Sequence, residues 1–98
     1  MTVEEFKATL TQSQPPASLS PLLKALWLDA KGSWQASHAI VQDLETKEAA
    51  WVHAYLHRKE GDEFNAGYWY QRAGKKFSKS NLEEEWNEIT DGILRANY

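Results

Sequence analysis

The stretch HAYLHRKEGDEFNAGYWYQRAG, residues 53–74, decides the fold, because it contains two helical segments separated by a turn. Its centre, Glu60-Gly61-Asp62, has the composition of a tight inter-helix turn. Gly61 can take a positive φ, and Asp62 can cap the free amides of the following helix. The stretch therefore predicts an antiparallel helical hairpin over residues 46–74.

The preceding part of the chain repeats this pattern. Gly32 corresponds to Gly61, and Ala36 corresponds to Ala66 at a spacing of 30 residues. Stacked helical hairpins show equivalent positions at about this spacing, roughly 30 to 34 residues. A first hairpin is therefore predicted over residues 20–44.

The segments outside the hairpins also carry helix signals. Thr2 with Glu5 forms a capping-box pattern, which predicts a helix over residues 1–10. A linker follows at 11–19, where two consecutive prolines prevent a helix from continuing. We expect the N-terminal helix either to pack loosely or to serve as an interaction arm.

The C-terminal segment has a second capping-box pattern, Ser80 with Glu83, and an apolar stripe at helical spacing. It predicts a helix over 80–97 that seals the end of the hairpin array. Its acidic residues are expected to form a solvated face or, alternatively, a docking strip for a basic partner. No segment alternates with period two over a useful length, so the fold class is all-α, a single domain over 1–98 with about six helices.

The second hairpin resembles a tetratricopeptide repeat. Ala54, Ala66, Tyr70 and Ala73 stand at the offsets that these repeats use, where small residues let two antiparallel helices approach closely. The first hairpin matches less well, with Lys24 where a small residue is usual. The resemblance implies an array of helical hairpins, and any antiparallel bundle with alanine at its close crossings stays an alternative.

A more specific resemblance covers about 20 residues of the second hairpin. It is to a group of small helical proteins with the pattern H-R-x-E-G-D-x-x-N-A-x-Y-W-Y-x-R-A-G, and it implies no established activity or catalytic residue. The matching residues here are His57, Arg58, Glu60, Gly61, Asp62, Asn65, Ala66, Tyr68, Trp69, Tyr70, Arg72, Ala73 and Gly74.

The same hairpin holds the candidate binding residues. His53 and His57 are one helical turn apart, and Asn65, Trp69 and Arg72 form an adjacent stripe. Since the two helices face each other, a polar cluster walled by aromatic rings is predicted, and the cluster would serve as a recognition patch for a peptide or an acidic group. The candidate patch consists of His53, His57, Asn65, Tyr68, Trp69 and Arg72.

Two alternatives to a recognition patch stay open. The first is structural: His57 is a core histidine hydrogen-bonded to Asn65, to a turn carbonyl or to a tyrosine hydroxyl. The second is a metal site formed by His53, His57 and Glu60, to which His38 could contribute only if the hairpins stack favourably. The zincin helix motif is absent, because no glutamate directly follows the first histidine.

Composition narrows the function classes. The chain has no cysteine, which excludes disulfides, thiol catalysis and thiolate metal sites. A net charge of -3 and scattered basic residues argue against nucleic acid as a partner, and no apolar run is long enough to cross a bilayer. The acidic N-terminus is unlike a signal peptide and predicts a cytoplasmic protein.

The sequence thus predicts a non-enzymatic module that binds a protein or peptide. No catalytic motif and no cofactor are indicated. Self-association through some of the five tryptophans stays open. The alternative is a small metal-binding protein or enzyme centred on His53, His57 and Glu60.

Overall fold

The structure is a computed structural model that describes residues 1–96, and within them every regular element is helical. A turn of 3-10 helix, Thr9–Thr11, continues the first α-helix, and residues 12–20 hold no regular element. The α-helices are α1 (Val3–Ala8), α2 (Pro21–Ala30), α3 (Trp34–Val41), α4 (Lys47–Lys59), α5 (Glu63–Ala73) and α6 (Leu82–Ala96). The predicted all-α fold class with six helices is confirmed.

Two pairs of helices form hairpins, α2 with α3 and α4 with α5. Both turns contain a glycine with φ of 88°, Gly32 in the first and Gly61 in the second. This left-handed backbone is strained for residues with a Cβ atom, which explains why glycine stands at both turns. In the second hairpin, Asp62 accepts a hydrogen bond from the backbone N–H of Asn65, as the sequence predicted for an N-cap.

The main core lies between α2, α4 and α6, and the N-terminal helix is part of it. Phe6 of α1 is completely buried, and its ring lies 5.9 Å from the ring of Trp86. The capping box of Thr2 and Glu5 is confirmed. Lys31 donates hydrogen bonds to the carbonyl oxygens of Leu10 and Gln12, which fasten the segment after α1 to the end of α2. The expectation of a loosely packed helix or arm is therefore wrong.

The predicted N-cap of the last helix, Ser80, is wrong by one residue. Asn81 caps α6: its side chain accepts from the backbone N–H of Glu84 at 2.7 Å and donates to the Glu84 carboxylate. Ser80 lies outside the helix, where its carbonyl oxygen accepts from Arg58. The predicted end at residue 97 lies outside the described residues.

One member of the expected acidic face of α6 points inward. Glu85 is 1% exposed, whereas Glu83, Glu84 and Glu88 are exposed. The sequence pattern misplaced Glu85 because its partners come from other helices. None of the helices within residues 1–96 combines the length and the apolar character that a membrane crossing needs.

Candidate functional site

The candidate site lies where α3 packs against α4. The chain contains three histidines, and the fold brings all of them together: His38 comes from α3, and His53 and His57 come from α4. His53 and His57 share one face of α4 because residues four positions apart are neighbours on a helix. Their rings stack with centroids 4.9 Å apart.

The imidazoles are close enough to share an ion. The Nε2 atoms of His38 and His53 are 3.0 Å apart and share one hydrogen bond. One ring nitrogen from each of the three histidines lies within 4.8 Å of the other two. His53 is 4% exposed, and His38 and His57 are half-buried, so the cluster has a buried inner side and an outer side that reaches the surface.

Two tryptophans fix the orientation of the cluster. The ring of Trp34 stacks on His38 with centroids 4.9 Å apart and an interplanar angle of 11°. On the other side, Trp69 stacks on His53 at 3.9 Å and 16°. Trp34 is itself anchored, because its Nε1 donates a hydrogen bond of 2.7 Å to the carbonyl oxygen of Leu56. The imidazoles are thus held in place by packing before any ligand arrives.

The surroundings keep two of the imidazoles neutral near pH 7. Burial, together with the neighbouring rings of His38 and His57, lowers the pKa of His53 to about 4. Burial and the ring of His57 also lower the pKa of His38, opposed by the carboxylate of Glu60. Neutral imidazoles carry the free lone pairs that a metal ion requires.

Glu60 lies behind His57, on the side away from the cluster. Its Oε2 is 2.7 Å from Nδ1 of His57, and because an ionised carboxylate only accepts, Nδ1–H is the donor. The hydrogen bond leaves Nε2 of His57 free for a ligand. The predicted metal-ligand group of His53, His57 and Glu60 is not formed among the described residues. His53 and His57 are instead joined by His38, and Glu60 lies in a second group of possible ligands with His57 and Asp62.

The remaining predicted patch residues divide into two sets. Asn65 turns away from the histidines, because its Nδ2 donates to Oδ2 of Asp62 at 2.6 Å in the cap of α5. Arg72 lies over the ring of Trp69 at 5.2 Å and donates to the hydroxyl of Tyr68 at 3.0 Å. The structure therefore joins Trp69 to the histidine cluster and leaves Tyr68 and Arg72 on the exposed rim beyond it.

The sequence predicted His38 as a metal ligand only on the condition that the hairpins stack, and it did not place Trp34 at the site. His38 reaches α4 only through the packing of one hairpin on the other, which local spacing does not reveal. A usable signal was present: Trp34 and His38 are four residues apart on α3, in the same arrangement as His53 and His57 on α4.

Comparison of the chain with protein-family models, with curated proteins and with solved structures finds no match.

Proposed function

We propose that the protein binds one divalent transition-metal ion through the ring nitrogens of His38, His53 and His57. The observation that carries the proposal is the convergence of all three histidines of the chain within 4.8 Å. His53 is 4% exposed and shares a hydrogen bond with His38, so the group reaches into the protein interior.

The separation of one nitrogen pair is close to that in a coordination site. Two nitrogens at about 2.05 Å from a tetrahedral ion are about 3.3 Å apart, by simple trigonometry from the usual zinc–nitrogen distance. The 3.0 Å between Nε2 of His38 and Nε2 of His53 is close to this value. An ion would replace the proton that the two nitrogens share, and the ring nitrogen of His57, within 4.8 Å of both, would complete the group by moving towards it.

The environment of His57 also favours a metal ligand. Histidines that bind metals usually donate their second N–H to a carboxylate, a carbonyl or water, which fixes the ring and raises its basicity. Glu60 provides a carboxylate of this kind at 2.7 Å from Nδ1. The predicted metal residue Glu60 thus supports the site from behind a ligand.

The ligand set favours late first-row metals. Imidazole nitrogens suit Zn²⁺, Cu²⁺ and Ni²⁺, whereas Mg²⁺ and Ca²⁺ prefer oxygen ligands. Zn²⁺ is the suitable probe because it has no redox chemistry and binds imidazole nitrogens readily.

Isothermal titration calorimetry with Zn²⁺ tests the proposal, on protein that carries no polyhistidine tag. We expect one ion per chain. Loss of an outer-shell partner weakens metal binding by about 10–100-fold, and loss of a direct ligand should weaken it more. The variants that test this are His38→Ala, His53→Ala and His57→Ala. Glu88→Ala is the matched control, since Glu88 is an exposed carboxylate on α6, outside the cluster. If wild type binds no stoichiometric Zn²⁺, or if His38→Ala binds as tightly as wild type, the proposal is wrong.

A separate surface favours the interaction module as a second candidate function. Phe64 is 88% exposed and Tyr68 is 48% exposed, one turn apart on α5, and exposed Arg72 lies one turn further. Large exposed aromatic side chains beside an arginine are typical of the anchors in protein interfaces. We propose that this strip of a tetratricopeptide-like hairpin binds an extended peptide with acidic side chains, which would pair with Arg72.

Selection from a displayed peptide library tests this second candidate. Peptides selected by wild type should be rich in acidic residues and should lose affinity for Phe64→Ala and Arg72→Ala. Lys47→Ala is a control at an exposed residue on a different helix. Peptides that bind both variants as well as wild type would show that the strip is not a recognition surface.

A further inference from the structure

We infer that the metal ion keeps a fourth coordination position which exchanges water for a small anion, so that the site acts as a Lewis acid and not only as a structural clamp. The inference rests on the proposed metal binding and assigns a ligand class to the same site: monoanions the size of azide, bicarbonate or acetate.

The number of protein ligands leaves one coordination position open. Closed structural zinc sites have four protein ligands, whereas sites with three keep a position for water or substrate. Among residues 1–96, the ligand group that contains His38 and His53 is completed by His57 and by no fourth residue.

The nearest carboxylates are already engaged elsewhere. Oε2 of Glu60 accepts from Nδ1 of His57, and Asp62 uses one oxygen for the backbone N–H of Asn65 and the other for its side chain. Moving either carboxylate to the ion would disturb the outer-shell bond of His57 or the cap of α5, and loss of such a cap alone costs about 1 kcal/mol. An external ligand does not carry this cost.

The charge of the site favours an anion. Three neutral imidazoles leave the full +2 charge of the ion uncompensated within the coordination shell, in a place where one ligand, His53, is 4% exposed. Partial exclusion of water strengthens the attraction between such an ion and an anion. The same field lowers the pKa of a zinc-bound water to about 7, so that hydroxide competes with other anions above neutral pH.

Access and size also bear on the ligand class. His38 and His57 are partly exposed, with the side chain of His57 at 11%, so the outer side of the cluster reaches the surface. Trp34 stacks on His38 and Trp69 stacks on His53, so two indole rings flank the imidazoles. The closeness of these rings to the imidazoles favours a ligand of a few atoms over a bulky one. The exchange is a simple replacement in which the anion binds the metal and one water molecule leaves, with no oxidation or reduction.

Visible absorption of the Co²⁺-loaded protein tests the inference, because Co²⁺ replaces Zn²⁺ at tetrahedral nitrogen sites and its bands respond to the bound ligands. Binding is first established from the appearance of the Co²⁺ bands at one equivalent. Azide is then added, and we expect a saturable change of the bands that reverses when azide is removed. A buffer sample of Co²⁺ with azide is the control for free complexes.

One substitution tests whether the charge of the site contributes to anion binding in addition to its geometry. Glu60→Gln keeps an acceptor for Nδ1 of His57 and removes a negative charge behind that ligand. In Co²⁺-saturated protein, this variant should therefore bind azide severalfold more tightly than wild type. Glu88→Ala should bind azide like wild type.

The outcomes distinguish the two proposals. A protein that binds one Co²⁺ but shows no spectral change with azide has a closed site, which overturns the inference and leaves metal binding intact. A protein that shows no Co²⁺ bands and takes up no Zn²⁺ in calorimetry overturns both. Equal azide affinity in Glu60→Gln and wild type contradicts the role of charge in selecting the anion.

Discussion

Replacement of Glu85 by alanine should destabilise the protein by about 3 kcal/mol, at the lower end of the cost of breaking a buried ion pair. The Glu85 carboxylate is 1% exposed and accepts three hydrogen bonds. The donors are Nη1 of Arg58 at 2.7 Å, the hydroxyl of Tyr70 at 2.5 Å and Nε1 of Trp51 at 3.2 Å. The cost is at the lower end of this range because Arg58 is not left without a partner: its side chain is 18% exposed and keeps its hydrogen bond to the carbonyl oxygen of Ser80.

The loss matters for the site because Glu85 ties α6 to both helices of the second hairpin, which carry His53, His57 and Trp69. Urea unfolding followed by tryptophan fluorescence measures the free energy of unfolding, provided that the m-value stays unchanged. Glu88→Ala, on the exposed side of the same helix, should stay within about 0.5 kcal/mol of wild type. A loss below 1 kcal/mol in Glu85→Ala would refute the assignment of this network as a tie between the helices.

Three further predictions concern the site and the turn that positions it. Glu60→Gln should weaken Zn²⁺ binding by about 10–100-fold in calorimetry, because the outer-shell bond to His57 loses its charge; unchanged affinity would contradict this role. In metal-free buffer, the free energy of unfolding should fall as the pH drops from about 6.5 to about 4. The pKa of His53 is about 4 in the folded protein, so the unfolded imidazole takes up its proton first. The variant His53→Gln should show a weaker dependence on pH, and an equally steep dependence would assign the effect to other groups. Gly61→Ala should destabilise the protein by about 1–2 kcal/mol because the φ of Gly61 is 88°. Gly67→Ala should be neutral or stabilising, since Gly67 lies within helix α5 and a Cβ there meets no heavy atom within 4 Å. Equal effects of the two substitutions in thermal unfolding would contradict the role of the positive φ.

The second hairpin was predictable because its signals are local. Gly61 permits the turn, Asp62 caps the helix that follows, and Ala66 allows the close approach of α4 and α5. Each of these effects depends on residues within a few positions along the chain or across one turn. Local physical chemistry is therefore sufficient for this part of the fold.

The remaining features depend on long-range packing, which local patterns do not contain. Ser80 and Asn81 both precede an acidic residue at the capping-box distance, and Asn81 is the cap because Arg58 binds the carbonyl of Ser80. Glu85 shares the acidic character of its neighbours in sequence and differs from them only in facing Arg58. In both cases the deciding partner is more than 20 residues away in the sequence.

The candidate site also has one part that local sequence signals predict and one part that depends on long-range packing. The pairing of His53 with His57 follows from helical spacing, and so does the neighbouring position of Trp69 on the facing helix. The arrival of His38 depends on how α3 packs on α4, and that packing is fixed in part by the hydrogen bond from Trp34 to the Leu56 carbonyl. The sequence therefore brought His53, His57 and Trp69 together, and the structure shows the hairpin packing on which the contribution of His38 depends.

The most direct test of the metal site is a long-range ¹H–¹⁵N spectrum of the imidazoles of His38, His53 and His57, recorded before and after one equivalent of Zn²⁺. The three histidines are the only ones in the chain, so their signals are easily assigned with single substitutions. The account predicts that Nε2 of all three rings shifts together to the position of a metal-bound nitrogen, while Nδ1 of His57 stays protonated against Glu60. Unchanged spectra, or a shift of His53 and His57 without His38, would contradict a three-histidine metal site.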